Sequence, residues 1–263
     1  MRFAAAVALA FVVAVSAAPT RGSAVALQRA QIDAFAPYTH IASAGYCQPA
    51  RTLAWNCGVH CDATPGFVTT ASGGDGLGTP YWLVGYYPPL QSIFISYQGT
   101  EMEKIAPIFV DIDFFLDPLN STYFPSVASS VMTHGGFGDA HERSANDVLA
   151  AVKTTLVQYP GAQIVTTGHS LGAAVAQISA VHLRLNLPSG TKIKYIGFSV
   201  PRVGNPAWAN LVDSLVGDVT HINNKKDFVP TIPPRFAGFA HPSGEIHITA
   251  NNEWLTCSGM SAL

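Results

Sequence analysis

The sequence predicts an α/β fold built on a mostly parallel sheet with helices on both faces. Two observations carry this reading. From Ser92 onward, short apolar runs alternate with longer segments of helical period, the pattern of strands joined by crossover helices. In the middle of that alternation stands Ala162-Gln163-Ile164-Val165-Thr166-Thr167-Gly168-His169-Ser170-Leu171-Gly172-Ala173-Ala174, which reads as strand, tight turn and helix. Composition sets the scale: 263 residues, 48% hydrophobic, 11% charged and a net charge of −2 suit one fair-sized domain with a large core. Nothing basic points to nucleic acid.

Residues 1–18 read as a signal peptide. Arg2 supplies the positive region, Phe3 to Val15 the apolar stretch, and Val15-Ser16-Ala17-Ala18 the small residues for cleavage. That stretch is short for a membrane anchor, and the rest of the chain offers no spanning segment. The expected layout is therefore a signal peptide over 1–18 and one domain over 19–263, secreted, without an integral membrane segment. Secretion permits disulfides. Cys57 and Cys61 are close enough to clip a small loop; a zinc site built on that C-x3-C with His60 is the alternative, but no second ligand pair follows at zinc spacing.

Taken in order, Leu27 to Ala44 predicts a helix interrupted at Pro37, and Tyr46 to Thr64 a disulfide-bearing loop. Phe67 to Thr70 is a candidate strand, and Ser72 to Thr79 a glycine-rich turn. Tyr81 to Tyr86 and Ser92 to Tyr97 flank Pro88-Pro89 as a hairpin of buried strands. A segment from Glu101 to Pro125 turns from polar to apolar and contains the sequon Asn120-Ser121-Thr122. A helix from about Asp139 to Tyr159 buries Val148, Leu149, Val152 and Leu156, and Pro160-Gly161 stops it. After the Ser170 segment come a helix to about Asn186, a strand from Lys194 to Val200, a helix from about Pro206 to Val216, and a strand from Val219 to Asn223.

Gly168 and Gly172 flank Ser170 as G-x-S-x-G, the pattern of a nucleophile elbow. A serine hydroxyl becomes a useful nucleophile when it stands clear of the backbone, and so sharp a turn leaves no room for side chains at the flanking positions. The helix that follows offers free N–H groups to a developing oxyanion. The expected partners follow Ser170 as an acid and then a histidine. Of the three aspartates downstream, Asp213 falls inside a helix on a solvated face and Asp218 opens a strand at its wrong end. Asp227 lies just past a strand's carboxyl end and is the expected acid. His241 and His247 are the histidines after it; neither carries local features of a base, and each reads as structural or surface.

These residues resemble the fungal class 3 lipases, a group that also contains feruloyl esterases. Gly168-His169-Ser170-Leu171-Gly172 resembles the family's elbow, and Tyr97-Gln98-Gly99-Thr100 the strand end carrying its second oxyanion donor. Cys57 to Cys61 resembles its early disulfide loop, and His134-Gly135-Gly136-Phe137 the entry to its long helix. Pro201-Arg202-Val203-Gly204-Asn205, Asp227-Phe228-Val229-Pro230 and Phe239 to Glu245 resemble its acid-bearing region and the segment after it. The resemblance runs from about Leu27 to Cys257 and implies an α/β-hydrolase fold and a secreted serine esterase of the lipase type, acting on lipid esters at an oil–water interface. Ser170 would be the nucleophile, Asp227 the acid, and Leu171 and Thr100 the oxyanion donors, without metal or cofactor. Met102, Ile105, Ile108, Phe109, Val110, Phe114, Phe115 and Leu116 would occupy the lid position. The family's histidine, and its partners for the cysteines matching Cys47 and Cys257, come after the position of Leu263, so Cys47 and Cys257 are expected not to bond to each other. A feruloyl or other carboxylesterase is the alternative. Of another class is a catalytically impaired hydrolase fold that only binds acyl ligands.

Overall fold

The structure is a computed structural model that describes residues 24–101 and 114–257. The expected signal peptide and the lid residues Met102, Ile105, Ile108, Phe109 and Val110 lie outside the described residues.

In chain order the elements are β1 (Ala24–Ala26), α1 (Arg29–Asp33), α2 (Ala36–Ala44), α3 (Pro49–Leu53), α4 (Val59–Asp62), β2 (Val68–Gly73), β3 (Trp82–Tyr87), β4 (Ser92–Tyr97), β5 (Leu116–Pro118), β6 (Met132–His134), α5 (Gly135–Gln158), β7 (Gln163–His169), α6 (Leu171–Asn186), β8 (Ile193–Phe198), α7 (Pro206–Leu215), β9 (Asp218–Asn224), β10 (Glu245–Ile248) and β11 (Trp254–Cys257). The main sheet has nine strands in the order β1-β11-β10-β9-β8-β7-β4-β3-β2. Its centre, β4-β7-β8-β9-β10, is parallel. Antiparallel pairs close both edges. Each of the three parallel steps from β4 to β9 is bridged by one of α5, α6 and α7, because a parallel partner can be reached only by a crossover.

Alternation along the strands divides the core into two layers. Val84, Ile93, Ile95, Ile164 and Tyr195 face α5, α6 and α7, where Val148, Val152, Ile178 and Trp208 meet them. Leu83, Phe94 and Val165 face the opposite way, onto Ile41, Ala44, Phe67 and the Cys57–Cys61 bridge. Helices therefore cover both faces. Trp208 is fully buried, and its indole N–H donates to Gln177 Oε1 at 2.9 Å, which satisfies the one polar atom of that ring.

Local elements depart from the sequence reading for identifiable reasons. The break in the first helix falls at Ala34–Phe35, and Pro37 sits in the first turn of α2, where its missing N–H costs nothing. The Tyr46–Thr64 stretch contains α3 and α4, one-turn helices too short to show a period. α5 begins at Gly135 rather than Asp139; buried Phe137 and Ala140 hold its glycine-containing first turn against the core. β8 ends at Phe198, because Ser199 turns left-handed at φ 52°. Cys57 and Cys61 are bridged, with Cα atoms 5.3 Å apart, which removes both thiolates from a zinc reading. Cys47 and Cys257 are free.

Candidate active site

Ile164 and Val165 are fully buried and carry β7 through the centre of the sheet to Ser170. Ser170 adopts φ 54° and ψ −124°, a conformation disfavoured for a side-chain-bearing residue. The flanking glycines are sterically required. A Cβ on Gly168 would stand 2.4 Å from the carbonyl carbon of Gly172, and one on Gly172 would stand 2.2 Å from the carbonyl oxygen of Tyr97. The turn is pinned by Ser170 N–H donating to Phe198 O at 3.0 Å, and by the N–H groups of Ala173 and Ala174 donating to Ser170 O at 3.0 and 3.2 Å. Ser170 is fully buried, and its Oγ has no hydrogen-bond partner among the described residues. Leu171 is the first residue of α6, so its N–H has no acceptor within the helix and remains free for a ligand.

Thr100 reaches the elbow because residue 99 is glycine. A Cβ on Gly99 would lie 2.2 Å from both the carbonyl oxygen of His169 and the hydroxyl of Tyr46. Tyr46 ties the two segments together: its hydroxyl lies 2.7 Å from His169 Nδ1 and donates to Thr100 O at 3.4 Å. Burial raises the Tyr46 phenol, so it stays protonated, and burial lowers His169, an effect partly opposed by the charge of Asp227.

Asp227 stands three residues beyond β9, half-buried. Its Oδ2 accepts from Ser199 Oγ, and its Oδ1 accepts from Val229 N–H at 3.0 Å. It opens into a cavity of about 1000 Å³ whose wall includes His169, Phe198, Ile222, Phe228 and Trp254. Asp227 and His169, the elbow neighbour of Ser170, thus share one largely apolar cavity at the carboxyl ends of the parallel strands, where such folds place their chemistry.

None of the other sequence candidates is hydrogen-bonded to Ser170 Oγ. His241 is buried and stacked on His221, ring centroids 5.0 Å apart, with Nε2 against Pro230 O at 2.9 Å. Burial holds His241 well below the ordinary histidine range, which fits a structural imidazole. His247 and His241 line a neighbouring cavity of about 430 Å³ together with Glu245 and Asp227. Asp213 is not a solvated-face residue: its carboxylate accepts from both Ser243 N–H and Ser243 Oγ at 2.9 Å, pinning the turn after His241. Asp218 pairs with Lys194 at 3.0 Å, at the amino end of β9. Sequence reasoning missed Ser199 and Tyr46. Ser199 had one usable signal, its place directly after β8, which adjoins the strand before Asp227; Tyr46 had none.

The sequence profile of the lipase (class 3) family matches residues 94–237. The secreted mono- and diacylglycerol lipase LIP2 of Malassezia restricta is 35% identical over 161 residues, 61% of this chain and 51% of that protein. The lipase of Rhizomucor miehei is 31% identical over 227 residues, 84% of this chain and 60% of the relative. The chain thus spans about half to three fifths of these relatives' length. Among solved structures, lipase II from Rhizopus niveus superposes with a TM-score of 0.80 at 27% identity, covering 91% of this chain and 89% of that one. A triacylglycerol lipase whose catalytic centre is described as a serine protease triad superposes with a TM-score of 0.80 at 28% identity, over the same shares.

Proposed function

The chain belongs to the class 3 lipase family, and from that premise we propose that it is a secreted carboxylic ester hydrolase acting on acylglycerols through Ser170. Ser170 Oγ attacks the ester carbonyl. The N–H groups of Leu171 and Thr100, with the Thr100 hydroxyl beside them, hold the oxyanion as its charge develops. Asp227 orients an imidazole that takes the serine proton and returns it to the leaving alcohol. No described histidine is bonded to Ser170 Oγ, and none is assigned as that base.

The observation that supports this reading is the strained Ser170, fully buried with its Oγ uncommitted between two glycines that admit no Cβ. A buried hydroxyl without a partner is costly to keep unless it has work to do. The apolar wall beside Asp227 suits an acyl chain, and Phe115, 70% exposed at the end of the expected lid, suits an oil–water interface.

The test is hydrolysis of a soluble short-chain nitrophenyl ester with and without added imidazole. Without it, the oxyanion donors alone support roughly 10³–10⁴-fold over water. Added imidazole raises the rate saturably, Ser170→Ala removes that gain, and Asp227→Ala weakens the saturation. Ser170→Ala retaining the rate within about tenfold would overturn the assignment. Parallel assays with a monoacylglycerol and a hydroxycinnamoyl ester separate the lipase from the feruloyl esterase alternative.

A further inference from the structure

A second cleft lies at the opposite end of the sheet. It opens at the amino ends of β4, β7 and β8, while Ser170 follows the carboxyl end of β7. The length of β7, at about 3.3 Å per residue, puts the two sites roughly 20 Å apart. The cleft encloses about 660 Å³.

Its aromatic side is the pair Tyr86 and Tyr159, stacked with centroids 3.8 Å apart and planes 10° from parallel. Its polar wall is Gln91, Gln158, Gln163 and Lys192. None of these four side chains is used in a hydrogen bond or ion pair within the described residues. The frame that carries them is stiff. Pro88-Pro89-Leu90 forms a 3-10 turn ending in Gln91, which is left-handed at φ 48°, and Pro160-Gly161 forms the turn on the other side. A binding group presented from such turns loses little freedom when it is engaged.

Three primary amides that can each donate and accept, one amine and an aromatic stack describe the ligand. Amides match vicinal hydroxyls, which also donate and accept. Tyrosine rings offer flat apolar area with a polar tip, suited to the C–H face of a pyranose. The lining holds one cation, too few for a nucleic-acid backbone. Three amides and an amine would be left unpaired by an acyl chain, a loss that disfavours lipid. We propose that this cleft is a carbohydrate-binding site for a neutral pyranose-containing glycan, separate from the hydrolytic centre.

The experiment titrates the isotope-labelled Ser170→Ala chain with soluble neutral oligosaccharides, namely cello-, laminari-, manno- and chito-oligomers, and follows backbone amide resonances. At least one sugar shifts Gln91, Gln158 and Tyr159 saturably. The double variant Gln91→Gly with Gln158→Ala weakens that binding about tenfold, the loss of one to two hydrogen bonds. Glycine suits the left-handed backbone at residue 91, so the variant keeps its fold, and in the wild-type background it leaves nitrophenyl ester hydrolysis unchanged. The proposal fails if no sugar in the panel shifts these resonances, if the double variant binds as before, or if the shifts centre on Asp227.

Discussion

Ser199 spends conformational energy to place one hydroxyl. Its φ of 52° is left-handed, a region that costs a side-chain-bearing residue on the order of 1–2 kcal/mol. Its Oγ donates to Asp227 Oδ2, and a hydrogen bond to a charged acceptor is worth about 1.5–3 kcal/mol. The strain therefore persists because the carboxylate repays it and is held in one rotamer. Two substitutions separate the terms. Ser199→Ala loses the bond and keeps the strain, whereas Ser199→Gly loses both, so the glycine variant should be the more stable by about 1 kcal/mol in urea unfolding. Equal midpoints would mean that the backbone relaxes and that the left-handed turn stores nothing. The tight turn at Ser170 and the position of Asp227 beyond β9 were legible from local pattern, one from its flanking glycines and the other from the strand before it. The bonds of Ser199 and Tyr46 were not, because topology brings their partners from 28 and 123 residues away.

In the turn from β7 into α6 three backbone segments meet without intervening side chains. Gly172 is the tightest point: a Cβ would press on Tyr97 O and on the backbone of Gln98, neither of which can swing aside as a side chain could. Gly172→Ala should cost about 1–3 kcal/mol and displace Thr100 from Leu171, the two residues proposed to hold the oxyanion. Gly190→Ala is the control, because a Cβ there meets nothing within 4 Å; it should fall within about 0.5 kcal/mol of wild type. A Gly172→Ala chain as stable as the control would show that the contact relaxes without cost. The same element was the easiest to read from sequence, because the buried strand and the alanine-rich helix both run long enough to show their periods. α3, α4, β1 and β11 were not read: each spans five residues or fewer, and their form comes from the neighbours they pack on. The start of α5 was misread because glycine's poor helix propensity is outweighed by burial of Phe137.

Across the whole molecule, strand alternation announced a parallel sheet, but the order of strands and the antiparallel edges depend on long-range pairing that no window of sequence contains. The same holds for the histidines. Five of the nine, His134, His141, His182, His221 and His241, are buried. His141 and His182 meet edge to face, centroids 5.0 Å apart, between α5 and α6, and neither ring nitrogen of His141 has a hydrogen-bond partner among the described residues. Burial, then the proximity of His182, hold His141 well below its ordinary value of 6.5; burial, then Lys153, bring His182 down to about 4. Burial lowers His221 and His241 as well. These groups are neutral in the folded chain and titrate near 6.5 once unfolded, so the unfolded state binds more protons below that pH. Their contribution to stability is therefore intact above about pH 6.5 and is lost as pH falls below it, for His182 down to about 4. Each such histidine adds about 1.4 kcal/mol per pH unit to the slope, in a range above most carboxylate titration. Urea midpoints measured from about pH 8 to about pH 5 should be flat and then fall steeply below neutrality, and His182→Gln should reduce the slope by about one proton. An unchanged slope in that variant would place its proton uptake elsewhere.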